Sequence, residues 1–350
     1  MMVVEGRIMR EAMFYEKLEN KRVKCKLCAF NCTILEGKTG TCRVRKNIDG
    51  TLYSLSYDKV SIANPDIIEK KPLYHFAPGS YTFSIATPGC NWRCKYCQNW
   101  DLSQGEIEGK SISPEEIVRR AKDTGCQGIS YTYSEPTIFY ELTYDTSKIA
   151  HKEGLYNTYV TNGYMNLEPI REISPFIDAV TVDFKGSGDT EFLRKFSSVP
   201  SPKPIYRGLE EWRKQKVHIE ITDLIVPNIG DSMEKTRELV KWIKKKLGDE
   251  TPIHFLKFFP NYLVLDLPQT SLKTLEKAYN IAREEGMKYV YIGNVFGEKN
   301  NTYCPRCGKL LVNRLGMKTL EYLIRDGKCP YCEERINIKG EKWIPKKILK

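Results

Sequence analysis

Eleven of the chain's 12 cysteines fall in three tight groups, and this spacing limits what the chain can fold into more than any other feature. The groups are Cys25, Cys28, Cys32 and Cys42; then Cys90, Cys94 and Cys97; then Cys304, Cys307, Cys329 and Cys332. Disulfide scaffolds belong to small secreted domains. This chain has 350 residues, and its opening stretch, with Glu5, Glu11 and Glu16, carries no apolar signal core. A cytoplasmic protein is expected, and clustered thiols in that setting read as metal ligands. Cys126 stands alone before a strand-like run and reads as buried packing.

The length and a 41% hydrophobic content suit one large domain with smaller modules around it. Strand-like runs rich in Val, Ile, Tyr, Thr and Phe lie at Tyr81–Thr87, Gly128–Tyr133, Tyr156–Thr161, Ala179–Phe184, Val217–Val226, Ile253–Phe259 and Lys288–Ile292. Helical stretches separate them. One opens at Ser113-Pro114-Glu115-Glu116, where Ser113 suits an N-cap, Pro114 the first helical position and Glu116 the return half of a capping box. Others run from Asp231 to Leu247 and from Ser271 to Glu285, the latter closed by Gly286. Strands alternating with helices imply βαβ units and a parallel sheet. No run of about 18 uncharged apolar residues would span a membrane.

The cysteine spacings then separate by chemistry. Cys304-Pro-Arg-Cys307 and Cys329-Pro-Tyr-Cys332 are two CxxC knuckles, the pattern of a zinc ribbon binding Zn2+. Cys25, Cys28, Cys32 and Cys42 are less regular and fit either structural zinc or an Fe–S cluster. Cys90-Asn-Trp-Arg-Cys94-Lys-Tyr-Cys97 is a CxxxCxxC directly after the first strand. Fe–S clusters normally take four cysteines, so three on one loop would leave one iron of a [4Fe–4S] cluster open to a ligand. A zinc site completed from elsewhere is the competing reading. The expected fold is α/β: a partial or full TIM-like β/α barrel over residues 81–299, a small cysteine-rich N-terminal module over 1–80, and a C-terminal zinc ribbon with a basic tail over 300–350.

Polar residues at the ends of the barrel strands would meet that loop, because the C-terminal face of a β/α barrel carries its chemistry. They are Ser134 and Glu135, Thr161 and Asn162, and Asp183 and Lys185. His254, early in its strand, and Asn294, after the last one, read equally as core or rim residues. A loop glutamate and an exposed Asp-x-Lys ion pair are the plainer alternatives for the others.

CxxxCxxC on the loop after a first barrel strand resembles the radical SAM superfamily. Tyr96 matches the aromatic before its third cysteine, and Glu135 stands where the superfamily has its GGE motif, with Tyr133-Ser134 in place of the two glycines. The Cys25-Lys-Leu-Cys28, Gly40-Thr-Cys42-Arg-Val-Arg45, Tyr131-Thr-Tyr-Ser-Glu-Pro-Thr137, Thr161-Asn-Gly-Tyr164, Val182-Asp-Phe-Lys185 and Tyr291-Ile-Gly-Asn294 segments resemble the AmmeMemoRadiSam-system enzymes, which are pyruvate formate-lyase-activating-enzyme-like. The resemblance covers roughly residues 20 to 335. It implies S-adenosylmethionine as cofactor, bound on the open iron and cleaved to a 5′-deoxyadenosyl radical. It also implies that Glu135 meets the methionine ammonium and that Asp183 and Lys185 meet ribose and carboxylate; Tyr96, Ser134, Thr161 and Asn162, with His254 if it takes a site role, are the further candidates to line that pocket. Partners would be an electron donor of flavodoxin or ferredoxin type and Memo-type or Ammecr-type proteins. The substrate would be a small molecule or peptide, or else a partner protein receiving a glycyl radical. The net charge of +11 and the zinc ribbon alone would suit a nucleic-acid-binding protein. That reading leaves CxxxCxxC, Glu135 and Asp183-x-Lys185 without a purpose, so nucleic acid is not an expected partner.

Overall fold

Each of the seven strand-like runs forms a strand, and the seven join one sheet in chain order. They span Tyr81–Ala86, Gly128–Tyr131, Tyr156–Thr161, Ala179–Lys185, His218–Ile225, Ile253–Lys257 and Val290–Gly293. All neighbouring pairs among them are parallel. The computed structural model describes residues 2–4 and 7–350. Residues 1, 5 and 6, including the Glu5 read above as part of the N-terminus, lie outside the described residues. An eighth strand, Ile62–Ile67, pairs antiparallel with Tyr81–Ala86. Pro65 sits within it, which an edge strand tolerates. Among the described residues the order runs from Ile62–Ile67 at one edge to Val290–Gly293 at the other, and those two strands do not pair. Residues 62–67 therefore extend the large sheet, although the sequence placed them in the N-terminal module.

Helices fill the crossovers: Pro114–Asp123, Tyr140–Lys152, Leu167–Ile173, Thr190–Ser197, Lys203–Lys214, Met233–Lys246 and Leu272–Glu284. Ser113 caps its helix through Oγ, accepting from the Glu116 N–H at 3.2 Å. The expected return half of the capping box is absent among the contacts of Glu116. Its carboxylate accepts instead from Arg119 at 2.8 Å and Arg120 at 2.6 Å, since two guanidinium groups one turn on outcompete a single backbone N–H. Ser232 and Ser271 cap the last two helices in the same way.

Side chains alternate across a strand, so the sheet has two different faces. Ile85, Ile129, Tyr159, Val182, Ile221 and Phe255 point to the helices and lie in the main apolar core. The opposite face is polar. Thr82 Oγ1 meets Ser130 Oγ at 2.7 Å, and Ser130 Oγ meets Thr158 Oγ1 at 2.6 Å. Thr181 donates to the Lys71 carbonyl at 2.7 Å. Buried Glu220 accepts from the backbone N–H of Tyr74 and His75 at 3.0 and 2.7 Å, with His254 Nε2 at 2.8 Å and His218 Nε2 at 3.1 Å. The segment around Lys71–Phe76 thus lies across this polar face.

The C-terminal module, with strands Thr302–Tyr303, Leu310–Leu315 and Lys318–Tyr322, packs beneath the same segment. Arg314 donates to the Tyr74 carbonyl at 2.8 Å, and His75 Nδ1 lies 2.8 Å from the Asn337 carbonyl. Tyr74, Tyr289 and Tyr291 share a core with Leu311, Val312 and Ile338. The N-terminal module is pinned by a fully buried ion pair, Arg45 to Glu141 at 3.0 Å. No helix among the described residues is long and apolar enough to cross a membrane.

Candidate active site

The first parallel strand runs out at Ala86 and delivers the chain through Thr87, Pro88 and Gly89 to the CxxxCxxC loop. Gly89 has φ +104°, and a Cβ there would lie 2.7 Å from Val44 Cγ1 and 3.2 Å from the Cys42 carbonyl oxygen. Only glycine lets the loop start this close to the N-terminal module. The loop is then pinned by backbone bonds from Arg93 N–H to Ser197 O (3.0 Å) and from Lys95 N–H to Phe196 O (2.8 Å). Arg93 also donates to the Cys90 carbonyl at 2.7 Å, and Gln104 to the Cys94 carbonyl at 3.2 Å.

Cys90, Cys94 and Cys97 are all half-buried. Burial, with the Glu135 charge behind it, pushes the Cys90 thiol well up, and burial raises Cys94 as well. Metal coordination would reverse this, since a coordinating thiol is deprotonated. Cys90 Sγ accepts from the Trp92 N–H at 3.3 Å, and Cys97 Sγ lies 3.3 Å from Ser103 Oγ. Tyr96 is buried, its hydroxyl 2.8 Å from Ser197 Oγ and its ring against Phe192.

The next two strand ends converge on Cys90. Glu135 is almost fully buried, its Oε1 accepting from Thr137 N–H (3.0 Å), Thr137 Oγ1 (2.5 Å) and Thr161 Oγ1 (2.7 Å). Its Oε2 accepts from the Asn162 N–H at 2.8 Å and has no second donor among these. Burial raises its carboxyl pKa, with the Thr137 hydroxyl and Asn162 N–H opposing. Asn162 Nδ2 donates to Asn91 Oδ1 at 2.8 Å, one residue from Cys90, and stands 4.0 Å from Cys90 Sγ. Ser134 turns its hydroxyl to the Thr87 carbonyl at 2.7 Å. From the fourth strand, Lys185 Nζ reaches Asp183 Oδ2 at 3.0 Å, and Thr222 donates to the other Asp183 oxygen. Burial works against the Lys185 charge, yet Asp183 and the nearby Cys94 raise its pKa overall.

Residues 84–243 match the family described as the Radical SAM superfamily. An uncharacterized protein of Methanocaldococcus jannaschii is 45% identical over 336 residues, covering 94% of this chain and 99% of its own length. The chain belongs to the radical SAM superfamily. A second uncharacterized M. jannaschii protein is 23% identical, covering 76% of each chain. Pyruvate formate-lyase-activating enzyme of Clostridium pasteurianum is 26% identical over 165 residues, covering 45% of this chain and 66% of its own. Superfamily membership makes this chain an enzyme and implies a [4Fe–4S] cluster and S-adenosylmethionine.

The residues present fit a radical SAM cofactor set. Three thiols occupy one loop, and three buried polar atoms within three residues of Cys90 in the chain have no hydrogen-bond partner: Thr87 Oγ1, Asn91 Nδ2 and Trp92 Nε1. Orphaned buried donors and acceptors are costly unless a ligand or ion satisfies them. His254 is not brought to this cluster. It is buried against Glu220, between the rings of Tyr74 and Tyr291. Asn294 is exposed and donates only to the Lys257 carbonyl at 3.3 Å. Cys126 is buried. At the C-terminus, Cys304, Cys307, Cys329 and Cys332 place all four sulfurs within 4.8 Å of one another.

Neither Asn91 nor Ser197, nor the charged cluster behind Tyr133, is marked by any pattern in the sequence. Tyr133 adopts φ +65°, a strained conformation for an aromatic residue. Its hydroxyl donates to Asp66, and its ring covers Lys71 Nζ at 4.3 Å from the centroid. Lys71 Nζ is 2.9 Å from Asp66 Oδ2, and burial pulls its pKa down to about 8. The signal available was the aromatic standing where relatives of the GGE type place glycine. Burial raises the Asp66 carboxyl, but the Tyr133 hydroxyl and Lys71 more than offset it and lower its pKa from 3.8 to about 2. A depressed acid stabilises the fold above its unfolded pKa and loses that contribution as pH falls. Denaturant unfolding should therefore show stability dropping between about pH 4 and pH 2, and Asp66→Asn should flatten that limb. An unchanged acid limb in Asp66→Asn would refute the assignment.

Proposed function

We propose that this enzyme reductively cleaves S-adenosylmethionine and uses the resulting 5′-deoxyadenosyl radical to take a hydrogen atom from a small-molecule or peptide substrate. The observation that carries the reading is the convergence of Glu135, Thr161 and Asn162 on Cys90, whose own stretch of chain holds three partnerless buried polar atoms. Cys90, Cys94 and Cys97 hold the cluster, which supplies the single electron for cleavage when bound. Glu135 Oε2, with spare acceptor capacity, receives the methionine ammonium, with Ser134 alongside. Lys185 and Asp183 bind the carboxylate and the ribose hydroxyls, a cation for the anion and an acceptor for the donors. Asn162, Thr161 and Tyr96 brace that pocket, and the apolar core behind the strands keeps water away.

The supply of electrons falls to a flavodoxin- or ferredoxin-type donor in the cytoplasm. The sheet is read as a partial β/α barrel, and the C-terminal four cysteines as a zinc ribbon that stabilises the fold. The resemblance to AmmeMemoRadiSam-system enzymes makes Memo-type and Ammecr-type proteins the partners of choice. A second reading, activation of a glycyl-radical protein, is favoured by the likeness to the Clostridium pasteurianum activating enzyme.

The test is 5′-deoxyadenosine formation by anaerobically reconstituted wild-type protein given dithionite and S-adenosylmethionine. Product supports the reading. A verified [4Fe–4S] protein that forms none, and whose reduced EPR spectrum ignores S-adenosylmethionine, would overturn it. Whether a glycyl radical appears on a candidate partner separates the two substrate classes.

A further inference from the structure

Four thiolates around a single zinc, with Zn–S near 2.3 Å, stand about 3.8 Å apart. The C-terminal group has that form, with Cys304 and Cys332 sulfurs at 3.6 Å and Cys307 and Cys329 at 3.7 Å. The N-terminal group differs. Cys25, Cys28, Cys32 and Cys42 all line one small cavity. Yet among the described residues it is the C-terminal four alone whose sulfurs gather within 4.8 Å. Thiols facing a common space, but spread wider than one ion needs, suit a cluster with several metals.

The cavity wall adds a second observation. Arg45 lines it, fully buried, with one guanidinium nitrogen on Glu141 at 3.0 Å. Its Nε is buried and has no partner. A buried N–H is expensive to leave unpaired, and the sulfur of an anionic cluster would accept it.

The cavity also abuts the active-site loop. Thr41 and Cys42 form its rim, and Arg93 bridges from the Thr41 carbonyl to the Cys90 carbonyl. Gly89, next to Cys90, approaches so closely that its missing Cβ would sit 3.2 Å from the Cys42 carbonyl. The backbones carrying the two cysteine groups are in direct contact.

We propose that Cys25, Cys28, Cys32 and Cys42 hold a second iron–sulfur cluster, placed to relay single electrons to the group on Cys90, Cys94 and Cys97. The relay rests on the reading of that loop as a [4Fe–4S] site. An external low-potential one-electron donor reduces the N-terminal cluster by one electron. That electron then passes inward, and no bond in the protein forms or breaks.

The experiment uses the full chain with Cys90→Ala, Cys94→Ala and Cys97→Ala combined, which leaves the N-terminal cysteines untouched. After anaerobic reconstitution, elemental analysis should find about two to four irons per chain with matching sulfide, and dithionite should produce the EPR signal of a reduced cluster. Adding Cys28→Ser and Cys32→Ser should remove both iron and sulfide, with far-UV circular dichroism reporting that the fold is kept. In the wild-type protein the doubly reduced state should show signals broadened by magnetic coupling between neighbours. Zinc in the N-terminal site, iron without sulfide, or iron that survives Cys28→Ser and Cys32→Ser would overturn the second cluster. Two uncoupled signals would overturn the relay. If the wild-type chain holds no more iron than the triple variant, the reading of the Cys90 loop fails and the N-terminal cluster stands.

Discussion

Cys94→Ala will abolish release of 5′-deoxyadenosine. Cys94 sits mid-loop, its carbonyl held by Gln104 and its sulfur beside the Lys185 charge. Removing it leaves two thiols for a cluster that normally needs more ligands than three. Outer-sphere partners of metal ligands typically cost about 10–100-fold when lost, so loss of a direct ligand should exceed about 100-fold. Chromatography of anaerobic reactions with dithionite measures this directly, and iron content should fall in parallel. Cys126→Ala is the matched control. It removes a buried thiol remote from the loop and should keep near wild-type product. A Cys94→Ala enzyme working within tenfold of wild type would show that the loop is not the seat of the chemistry.

Cys329→Ala will produce the largest loss of stability of any single cysteine change. Cys329 is fully buried within the group of four sulfurs. Metal binding to such a site is folding energy, about 10–16 kcal/mol in zinc-finger peptides. Part of that is recoverable here, because the C-terminal module shares a core with Tyr74, Tyr289 and Tyr291 under the large sheet. A loss of roughly 5 kcal/mol, at about 2–4 °C per kcal/mol, would lower the melting temperature by about 10–20 °C. Scanning calorimetry with metal analysis checks this, and a strong chelator should reproduce the shift in the wild-type chain. An unchanged melting temperature together with full metal loss would mean that the module holds its place without the metal.

The seven strands of the parallel sheet were legible because each is a short run rich in β-formers between helix-like stretches, and one helix start was marked by its serine cap, Ser113. Strand Ile62–Ile67 was not, since Pro65 argues against a strand unless it lies at an edge, and edge position is a tertiary fact. The cysteine loop could be read from its spacing, and Glu135 from its place at a strand end and from the resemblance to the GGE motif. Their link through Asn91 and Asn162 could not, because it joins residues 71 apart by a side-chain bond. His254 shows the converse. Its strand was read correctly, but a carboxylate two residues into the neighbouring strand, Glu220, claims its ring. Asp66, Lys71 and Tyr133 meet only because the segment after Ile67 folds back over the sheet's polar face, and nothing in the local pattern announces that return.

That folded-back segment also sets a clock on synthesis. His75 is bonded to the carbonyl of Asn337, 262 residues later, and Tyr74 to Arg314, 240 residues later. At about 5–20 residues per second on the ribosome, the His75 contact waits roughly 13–50 s for its partner. For most of that interval the three active-site thiols are already translated, while the Lys71–Phe76 segment still lacks its C-terminal partners. The metal-binding thiols of the first two groups thus exist before the fold is complete, and oxygen or the wrong metal has its longest access to them then. Slowing translation of residues 80–337 should lower the yield of intact enzyme in air more than in its absence.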